Sequence, residues 1–289
     1  MISAPRDTFT IPLSTGATLD LGSRCLVMGI LNLTPDSFAE RGPHPDVPSA
    51  VETALRLEAD GADILDVGGE STRPGAAPVT ADEELPRVLP VLRALHGRIR
   101  IPVSIDTYKA RVARAAIEAG AAIVNDISGL RYDPDLACVV AETGAALILM
   151  HMRGRPATMA AEAVYTDVVR DVTAELEQRI AAACAGGVPL DRIIVDPGIG
   201  FAKQPSHSYG VLAHVADLAA ALRRPVLVGA SRKSFLRGAL SGRPAPERDW
   251  GTAAAVTAAV LAGAHIVRVH AVAEMVQVVR VAEEIRRHG

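Results

Sequence analysis

Aromatic residues and cysteines are scarce in this sequence, and each shortage narrows the class of protein that it encodes. Phe, Trp and Tyr make up only 3% of the 289 residues, whereas hydrophobic residues make up 49%. That balance favours a core of Ala, Val, Leu and Ile in an α/β protein. The three cysteines, at positions 25, 138 and 184, are far apart. An odd, scattered set is typical of ordinary buried thiols, so we expect these cysteines to be buried.

The sequence also has no excess of charge of one sign and no long apolar run. Its 30 basic and 33 acidic residues leave a formal charge of −3, which offers no basic field for a nucleic-acid backbone. No apolar run reaches the roughly 18 residues that a membrane helix needs. Residues 1–10 lack the apolar core of a secretory signal. We therefore expect a cytoplasmic protein without nucleic-acid or membrane partners.

Several signature motifs of common enzyme classes are missing as well. The sequence contains no Walker A motif, no H-E-x-x-H zinc motif, no Cys-x-x-Cys pair and no nucleophile elbow. The glycine fingerprint G-x-G-x-x-G, expected after the first strand of a dinucleotide-binding fold, is also absent.

The sequence does contain a regular alternation of short apolar segments with helical ones. Eight segments have the length and composition of buried strands. They cover residues 26–31, 63–67, 102–106, 122–126, 146–150, 193–196, 225–229 and 266–270. This alternation predicts an α/β fold, a (β/α)₈ TIM barrel. The alternative is an open doubly wound sheet, and the missing glycine fingerprint argues against it.

A β-hairpin is predicted ahead of the first buried strand, because apolar and polar residues alternate between Thr8 and Gly22. We expect residues 1–24, which contain this hairpin, to cap the amino-terminal end of the barrel. No linker interrupts the sequence, so we expect one domain over residues 1–289.

Polar and charged residues stand at the ends of the predicted strands. In a parallel barrel these ends meet at one mouth, where the chemistry of such folds takes place. A set of charges at corresponding positions is hard to explain as structural, because burying a charge without a partner or ligand is costly. The residues are Asn32, Asp66, Thr72, Arg73, Asp106, Asn125, Asp126, His151, Asp196, residues 231–234, Arg268 and His270.

The residue types in this set indicate a site for a flat heterocycle and an anion. The acceptors and the donor that suit an amino-oxo ring, such as a pterin or guanine, are Asp106, Asp196 and Asn125. The positive rim that suits phosphate or carboxylate consists of Arg73, Lys233, Arg268 and His270. The hard oxygen ligands suited to Mg²⁺, which also binds through substrate phosphates, are Asn32 and Asp36.

Eight segments of the sequence resemble the motifs of the dihydropteroate synthase family, which belongs to the folate pathway. In chain order they are MGILNLTPDSF (28–38), DVGGESTRPG (66–75), VSIDT (103–107), VNDIS (124–128), LMHM (149–152), DPGIGF (196–201), GASRKSF (229–235) and VRVH (267–270). The resemblance implies a transferase that condenses 7,8-dihydropterin-6-ylmethyl diphosphate with 4-aminobenzoate, giving 7,8-dihydropteroate and diphosphate, with Mg²⁺ as cofactor. It also implies a homodimer and binding of sulfonamide inhibitors.

The resemblance further implies a role for each residue at the barrel mouth. The implied pterin-binding residues are Asp106, Asn125, Ile127, Met150, Asp196, Phe201, Lys233 and Arg268, the last stacking on the ring. Those implied for 4-aminobenzoate are Thr72, Arg73, Pro74, Phe201 and Ser234. Those implied for diphosphate are Asn32, Arg73, Arg268 and His270, with Asn32 as the metal ligand. The implied catalytic residues are Asn32, Arg73, Asp106, Lys233, Arg268 and His270.

The implied reaction needs little acid–base help, because the amine of 4-aminobenzoate is neutral at pH 7 and diphosphate leaves readily once its charge is neutralised. We expect catalysis by positioning and electrostatic stabilisation of the departing anion, and we assign no general base.

Two other functions are considered. A methyltetrahydrofolate:corrinoid methyltransferase shares the pterin pocket, but it is expected to lack the ESTRPG and SRKSF segments that this chain contains. A catalytically silent pterin-binding homologue is the second alternative, and Ala271 keeps it open, because the family usually has Asp there. Ala202 is a further departure, at a position where the family usually has Gly.

Overall fold

Residues 4, 6–34, 46–72 and 75–288 are described by the computed structural model. Strands β1 (Phe9–Pro12) and β2 (Thr18–Leu21) form the predicted antiparallel hairpin. The strands that follow are parallel to one another. They are β3 (Leu26–Asn32), β4 (Ile64–Gly68), β5 (Val103–Asp106), β6 (Ile123–Asp126), β7 (Ala146–Met150), β8 (Ile193–Asp196), β9 (Leu227–Val228) and β10 (Ile266–Val269).

The eight parallel strands form a barrel. Each strand pairs with the next from β3 to β8, and β10 pairs with both β3 and β9. A parallel bridge between Val195 and Val226 joins the remaining edges, and the N–H of Val195 donates to the carbonyl of Pro225 at 2.9 Å. The predicted (β/α)₈ barrel is therefore confirmed, and the doubly wound alternative is wrong.

Helices cover the outside of the barrel. They are α1 (Val47–Ala59), α2 (Ala81–Leu95), α3 (Ala110–Glu118), α4 (Leu136–Thr143), α5 (Val168–Ala185), α6 (Pro205–Ala213), α7 (Val215–Leu222), α8 (Asp249–Leu261) and α9 (Val272–His288). Helix α2 begins with a capping box, in which Thr80 and Glu83 satisfy each other's backbone N–H. Within the described ranges, none of these helices is both long and apolar enough to cross a membrane.

The barrel core has an inner and an outer layer, because successive side chains of a strand lie on opposite faces. Val27 and Leu65 pack outward in the layer shared with the helices, whereas Met28 and Ile64 belong to the inner layer. Hairpin residues such as Ile11 join that inner layer. The hairpin thus covers the end of the barrel opposite the carboxyl ends of the strands. The extent of the domain, 1–289, stays a prediction.

The expectation of three buried thiols is wrong for two of them. Cys25 is buried, but Cys138 and Cys184 are exposed. Both lie in helices whose outer faces meet solvent, α4 and α5. Sequence spacing identified them as unpaired but could not assign them to a face.

Candidate active site

Side chains from four strands meet around the guanidinium group of Arg268. Its Nε donates to Oδ2 of Asp66 at 2.6 Å, and its Nη2 donates to Oδ2 of Asp106 at 2.7 Å. The amide of Asn125 donates to the same Asp66 oxygen at 3.1 Å. Predicted residues from β5, β6 and β10 are thus brought together by an aspartate of β4.

Asp66 is the residue whose importance the sequence did not reveal. The sequence places it among the polar residues of the strand ends but indicates no role for it. Its side chain is fully buried, and its Oδ1 accepts no hydrogen bond from the part of the chain that the structure describes. The sequence signal for its importance is a charged residue in the centre of the otherwise apolar segment ILDVG.

The two carboxylates that share Arg268 differ in how they reach it. Asp106 lies at the last position of β5 and Asp66 in the middle of β4. Burial raises the pKa of Asp106 to about 7, although the Arg268 guanidinium opposes this shift. Two carboxylates share the single positive charge of Arg268. Their remaining oxygens can therefore accept hydrogen bonds from a ligand.

Asp196 and Lys233 form a second polar group at the mouth. Oδ1 of Asp196 accepts a hydrogen bond from the N–H of Gly198 at 2.7 Å, and Nζ of Lys233 donates to the carbonyl of Ile199 at 2.6 Å. Burial raises the pKa of Asp196, and burial lowers the pKa of Lys233 to about 8. A Cβ atom at Gly229 would lie 3.7 Å from Nζ of Lys233 and 3.9 Å from Oδ2 of Asp196.

An apolar cluster adjoins these polar groups. Tyr108, Ile127, Met150, Met152, Met159 and Ala202 are buried together, and Phe201 and Tyr132 pack against them. The structure therefore brings together the three predicted lining residues, Ile127, Met150 and Phe201. Nζ of Lys233 lies 4.4 Å from the centre of the Phe201 ring, which joins the apolar and polar parts of the site.

A series of hydrogen-bonded polar residues supports the turn that contains Phe201. Nζ of Lys203 donates to the carbonyl of Phe201 at 3.2 Å and lies 2.9 Å from Nδ1 of His151. Nε2 of His151 lies 3.2 Å from Glu175 on α5. Burial lowers the pKa of His151 to about 4 and that of Lys203 to about 7. His151 therefore accepts from Lys203 and donates to Glu175, which makes it a support rather than a ligand.

Ala202 adopts a left-handed backbone conformation, with φ of 44°. Glycine reaches such values without steric cost, whereas alanine adopts them with strain. The hydroxyl of Tyr165 donates to the Ala202 carbonyl at 2.9 Å. The buried Ala202 methyl group in turn packs in the apolar cluster, which offsets part of the backbone strain.

The anion-binding residues predicted from the sequence occupy two further strand ends. The Ser231 hydroxyl accepts from the backbone N–H of His270 at 3.2 Å and lies 2.9 Å from Nδ1 of that ring. The Ser231 hydroxyl therefore holds the His270 ring at the carboxyl end of β10, through both its backbone and its side chain. Asn32 is half-buried at the end of β3.

The 4-aminobenzoate residues predicted from the sequence are described only in part. Thr72 is half-buried, and Ser234 is exposed at the first position of a short 3₁₀ helix, Ser234–Arg237. Arg73 and Pro74, like Asp36 in the first loop, lie outside the described residues.

A buried ion cluster fixes the base of the loop that contains Thr72. Nζ of Lys109 contacts the carboxylate of Glu70 and lies 2.5 Å from that of Glu84, while the hydroxyl of Tyr108 donates to Glu70 at 2.9 Å. Glu84 is fully buried, and burial raises its pKa. No local pattern in the sequence indicates this cluster; the structure shows its acidic member Glu84 among the buried residues of α2.

Among the described residues, no group of three or more His, Cys, Asp or Glu side chains is arranged to hold a metal ion. An octahedral Mg²⁺ ion, however, requires few protein ligands when substrate phosphates and water supply the rest. The half-buried amide of Asn32 suits a Mg²⁺ site in which substrate phosphates and water supply most of the ligands.

Comparison with known proteins gives concordant matches along the chain. Residues 28–270 match the family described as pterin binding enzyme. A Synechocystis protein named dihydropteroate synthase is 45% identical over 283 residues, which are 97% of each chain. The Yersinia pestis dihydropteroate synthase, solved with a sulfonamide drug, superposes with a TM-score of 0.90 at 41% identity, over 96% of this chain and 100% of that one. The Burkholderia cenocepacia enzyme, solved with 7,8-dihydropteroate, gives 0.86 at 42% identity, over 99% and 98%.

Proposed function

The chain belongs to the pterin-binding enzyme family, among its dihydropteroate synthases, and we propose how the mouth of its barrel carries out their reaction. In that reaction 4-aminobenzoate displaces diphosphate from 7,8-dihydropterin-6-ylmethyl diphosphate and gives 7,8-dihydropteroate. The observation that supports this best is the network of Arg268 with Asp66, Asp106 and Asn125, which gathers acceptors and donors from four strands at one point.

The pterin occupies the space between this network and the apolar cluster. The Asp196 carboxylate accepts from ring N–H groups, and Asn125 and Lys233 supply donors to ring nitrogen and oxygen. The apolar side chains of Ile127, Met150 and Phe201 exclude water from the ring. Arg268 already uses Nε and Nη2 on the two aspartates, so it stacks on the pterin and reaches a phosphate oxygen with Nη1.

Bond making and breaking then follow from this placement. The C–O bond between the methylene carbon and diphosphate breaks, and its electron pair leaves with diphosphate. The pterin ring donates electron density to the methylene carbon, which the amine nitrogen of 4-aminobenzoate attacks before losing one proton to solvent. Arg268 and the imidazole ring of His270 stabilise the charge that develops on diphosphate.

Asn32 is the residue of this chain that would hold a Mg²⁺ ion bound to the diphosphate. Asn32 would hold it through the amide oxygen, and the ion would neutralise charge on the leaving group. Arg73 completes the anion site in the same proposal, and together with Thr72, Pro74, Phe201 and Ser234 it surrounds 4-aminobenzoate. Sulfonamides, which resemble 4-aminobenzoate, would compete for the same space.

The experiment for the anion site is His270→Ala, compared with His214→Ala at an exposed position. We expect His270→Ala to lower kcat about 10²-fold with little change in Tm, and the control to retain wild-type kcat. Omitting Mg²⁺ should weaken binding of diphosphate to the wild type, as measured by calorimetry. A normal kcat in His270→Ala would contradict the assignment, as would Mg²⁺-independent diphosphate binding.

Arg268→Ala is a poorer test, because Arg268 holds two buried carboxylates. Removing it leaves both without their cation, which costs about 3–5 kcal/mol of stability. A loss of activity in that variant would therefore mix catalysis with folding.

The two alternative functions make different predictions. A corrinoid methyltransferase would transfer a methyl group and ignore 4-aminobenzoate, and the matches to dihydropteroate synthases do not support it. A silent homologue would bind the pterin without turnover.

We also propose a cytoplasmic homodimer, for which the exposed apolar residues Trp250 of α8 and Val281 of α9 are candidate contacts. A monomer in light scattering would contradict the dimer.

A further inference from the structure

Residues 231–234 connect three parts of the site. Ser231 contacts His270 at the proposed diphosphate position. Lys233 reaches the carbonyl of Ile199 beside the pterin position. Ser234 begins the 3₁₀ helix at the proposed 4-aminobenzoate position. The geometry of this short segment therefore decides whether the three parts are aligned.

Arg232, at the centre of the segment, has a left-handed backbone conformation with φ of 56°. A residue with a side chain is unfavourable there, so the turn needs support from outside the segment. Residues 231 and 232 form a turn, so a change in the backbone at Arg232 would alter the direction of Ser231 and Lys233 relative to each other.

The start of helix α8 provides that support through three separate contacts. The N–H of Arg232 donates to Oγ1 of Thr252 at 3.0 Å, and its carbonyl accepts from Nη1 of Arg248 at 3.0 Å. Its guanidinium makes a two-pronged ion pair with Asp249, with both N···O distances at 2.7 Å. Thr252 is fully buried and Arg248 nearly so, which connects these contacts to the core.

Of these three contacts, the ion pair with Asp249 is the one that can be changed without damaging the core. Both side chains are about one-third exposed, at 30% and 31%, so water screens the pair and its contribution to stability is small. Its two-pronged geometry, in contrast, restrains the orientation of the turn. The side chain of Lys233 has its own contact with the carbonyl of Ile199, whereas Ser234 lies two residues after Arg232, at the start of the 3₁₀ helix.

We propose that Asp249 is a positioning residue for the 4-aminobenzoate end of the site, acting through the ion pair that fixes the left-handed turn at Arg232. This inference rests on the proposed function, because it assigns a supporting residue to that same site. It predicts an effect on 4-aminobenzoate that is separate from pterin binding and from stability.

The test is Asp249→Asn, which removes the charge but keeps the size of the side chain. Glu247→Gln is the matched control, because Glu247 forms an exposed ion pair with Arg243 at 3.0 Å only two residues away. We expect Asp249→Asn to raise KM for 4-aminobenzoate about tenfold. Affinity for the pterin substrate should stay within about twofold and Tm within a few degrees.

Two further variants separate positioning from structure. Asp249→Glu keeps the carboxylate, so its KM for 4-aminobenzoate should be close to that of the wild type. Arg232→Lys keeps the positive charge but cannot make the two-pronged pair, so it should raise KM in the same way. If Asp249→Asn fails to fold, Arg232→Lys gives the same measurement.

Three results would overturn the inference: an unchanged KM in Asp249→Asn, an equal effect in Glu247→Gln, or a parallel loss of pterin affinity and Tm. Turnover by the wild-type protein is measured first. Its absence would contradict the proposed function and the inference with it, whereas normal wild-type turnover with an unaffected Asp249→Asn would contradict the positioning role alone.

Discussion

At the scale of single residues, the site depends on buried charges that satisfy one another only in part. Arg268 serves two aspartates, and Asp66 keeps one oxygen without a partner among the described residues. Such a group is costly to bury unless a ligand completes it. The barrel mouth is therefore arranged to gain stability when a ligand with complementary donors binds.

Asp196→Asn tests the assignment of the pterin site at this scale. The change replaces an acceptor oxygen by a donor, so it should cost about 1–3 kcal/mol of binding free energy, which is roughly a 5- to 150-fold loss of affinity. Asp191→Asn, at an exposed position before the same strand, is the control. Calorimetry should show the loss for Asp196→Asn alone. Unchanged pterin affinity in a folded Asp196→Asn variant would rule the assignment out.

The sequence predicted most of these residues, because a polar residue that ends an apolar strand is visible in the sequence itself. Asp106, Asn125 and Asp196, at or next to the last position of their strands, are visible in this way. Asp66 lies within its strand rather than at its end, and its pairing with Arg268, more than 200 positions away, follows from barrel closure. Long-range pairing of that kind is not encoded in local spacing.

At the scale of elements, the turn after β8 shows how backbone shape places a ligand group. Gly198 has φ of 68°, and its N–H binds the Asp196 carboxylate. A Cβ atom at this position would lie only 2.0 Å from the carbonyl oxygen of His151. Close approach of two strand ends therefore requires glycine here.

Gly198→Ala should destabilise the protein by about 3 kcal/mol or more, because steric overlap adds to an unfavourable backbone conformation. Gly238→Ala is the matched control, since no neighbouring atom lies within 4 Å of a Cβ there and its φ is −63°. Urea unfolding of both variants measures the difference. Equal stability of the two would show that the approach of His151 is not a constraint.

Elements with strong patterns were predicted well and elements with weak patterns were not. The eight apolar strands were identified within a few residues, although β9 is shorter than expected because Val226 makes only a single bridge to β8. The bounds of α8 could not be obtained from the sequence, because its Ala-rich segment has no clear polar face. Ile127 and Phe201, which lie after β6 and β8, were assigned to the site only through resemblance to a family.

At the scale of the whole molecule, His265 connects the amino-terminal segment to the closing edge of the barrel. Its Nδ1 accepts from the N–H of Val226 at 3.1 Å, and its Nε2 lies 3.0 Å from the carbonyl of Asp7. Burial lowers the pKa of His265 to about 4, as it does for His151. Both rings are therefore neutral in the folded protein at pH 5.

This arrangement predicts loss of stability as the pH falls from about 6.5 towards 4. The unfolded chain binds protons on these histidines in that range, whereas the folded chain does not, so each lowers the free energy of unfolding by about 1.4 kcal/mol per pH unit. His265→Gln should reduce the slope by about one proton, with His214→Gln as control. Urea unfolding at pH 7, 6 and 5 measures it, and an unchanged slope would contradict the neutral, buried state of His265.

The most direct measurement of the central claim is product formation by the purified wild-type protein. It is supplied with 7,8-dihydropterin-6-ylmethyl diphosphate, 4-aminobenzoate and Mg²⁺, and both 7,8-dihydropteroate and diphosphate are measured over time. The assigned function predicts that the two products appear in equal amounts, that both depend on 4-aminobenzoate, and that a sulfonamide suppresses both competitively. Saturable binding of the pterin substrate without either product would contradict it and would identify the chain as a silent pterin-binding protein.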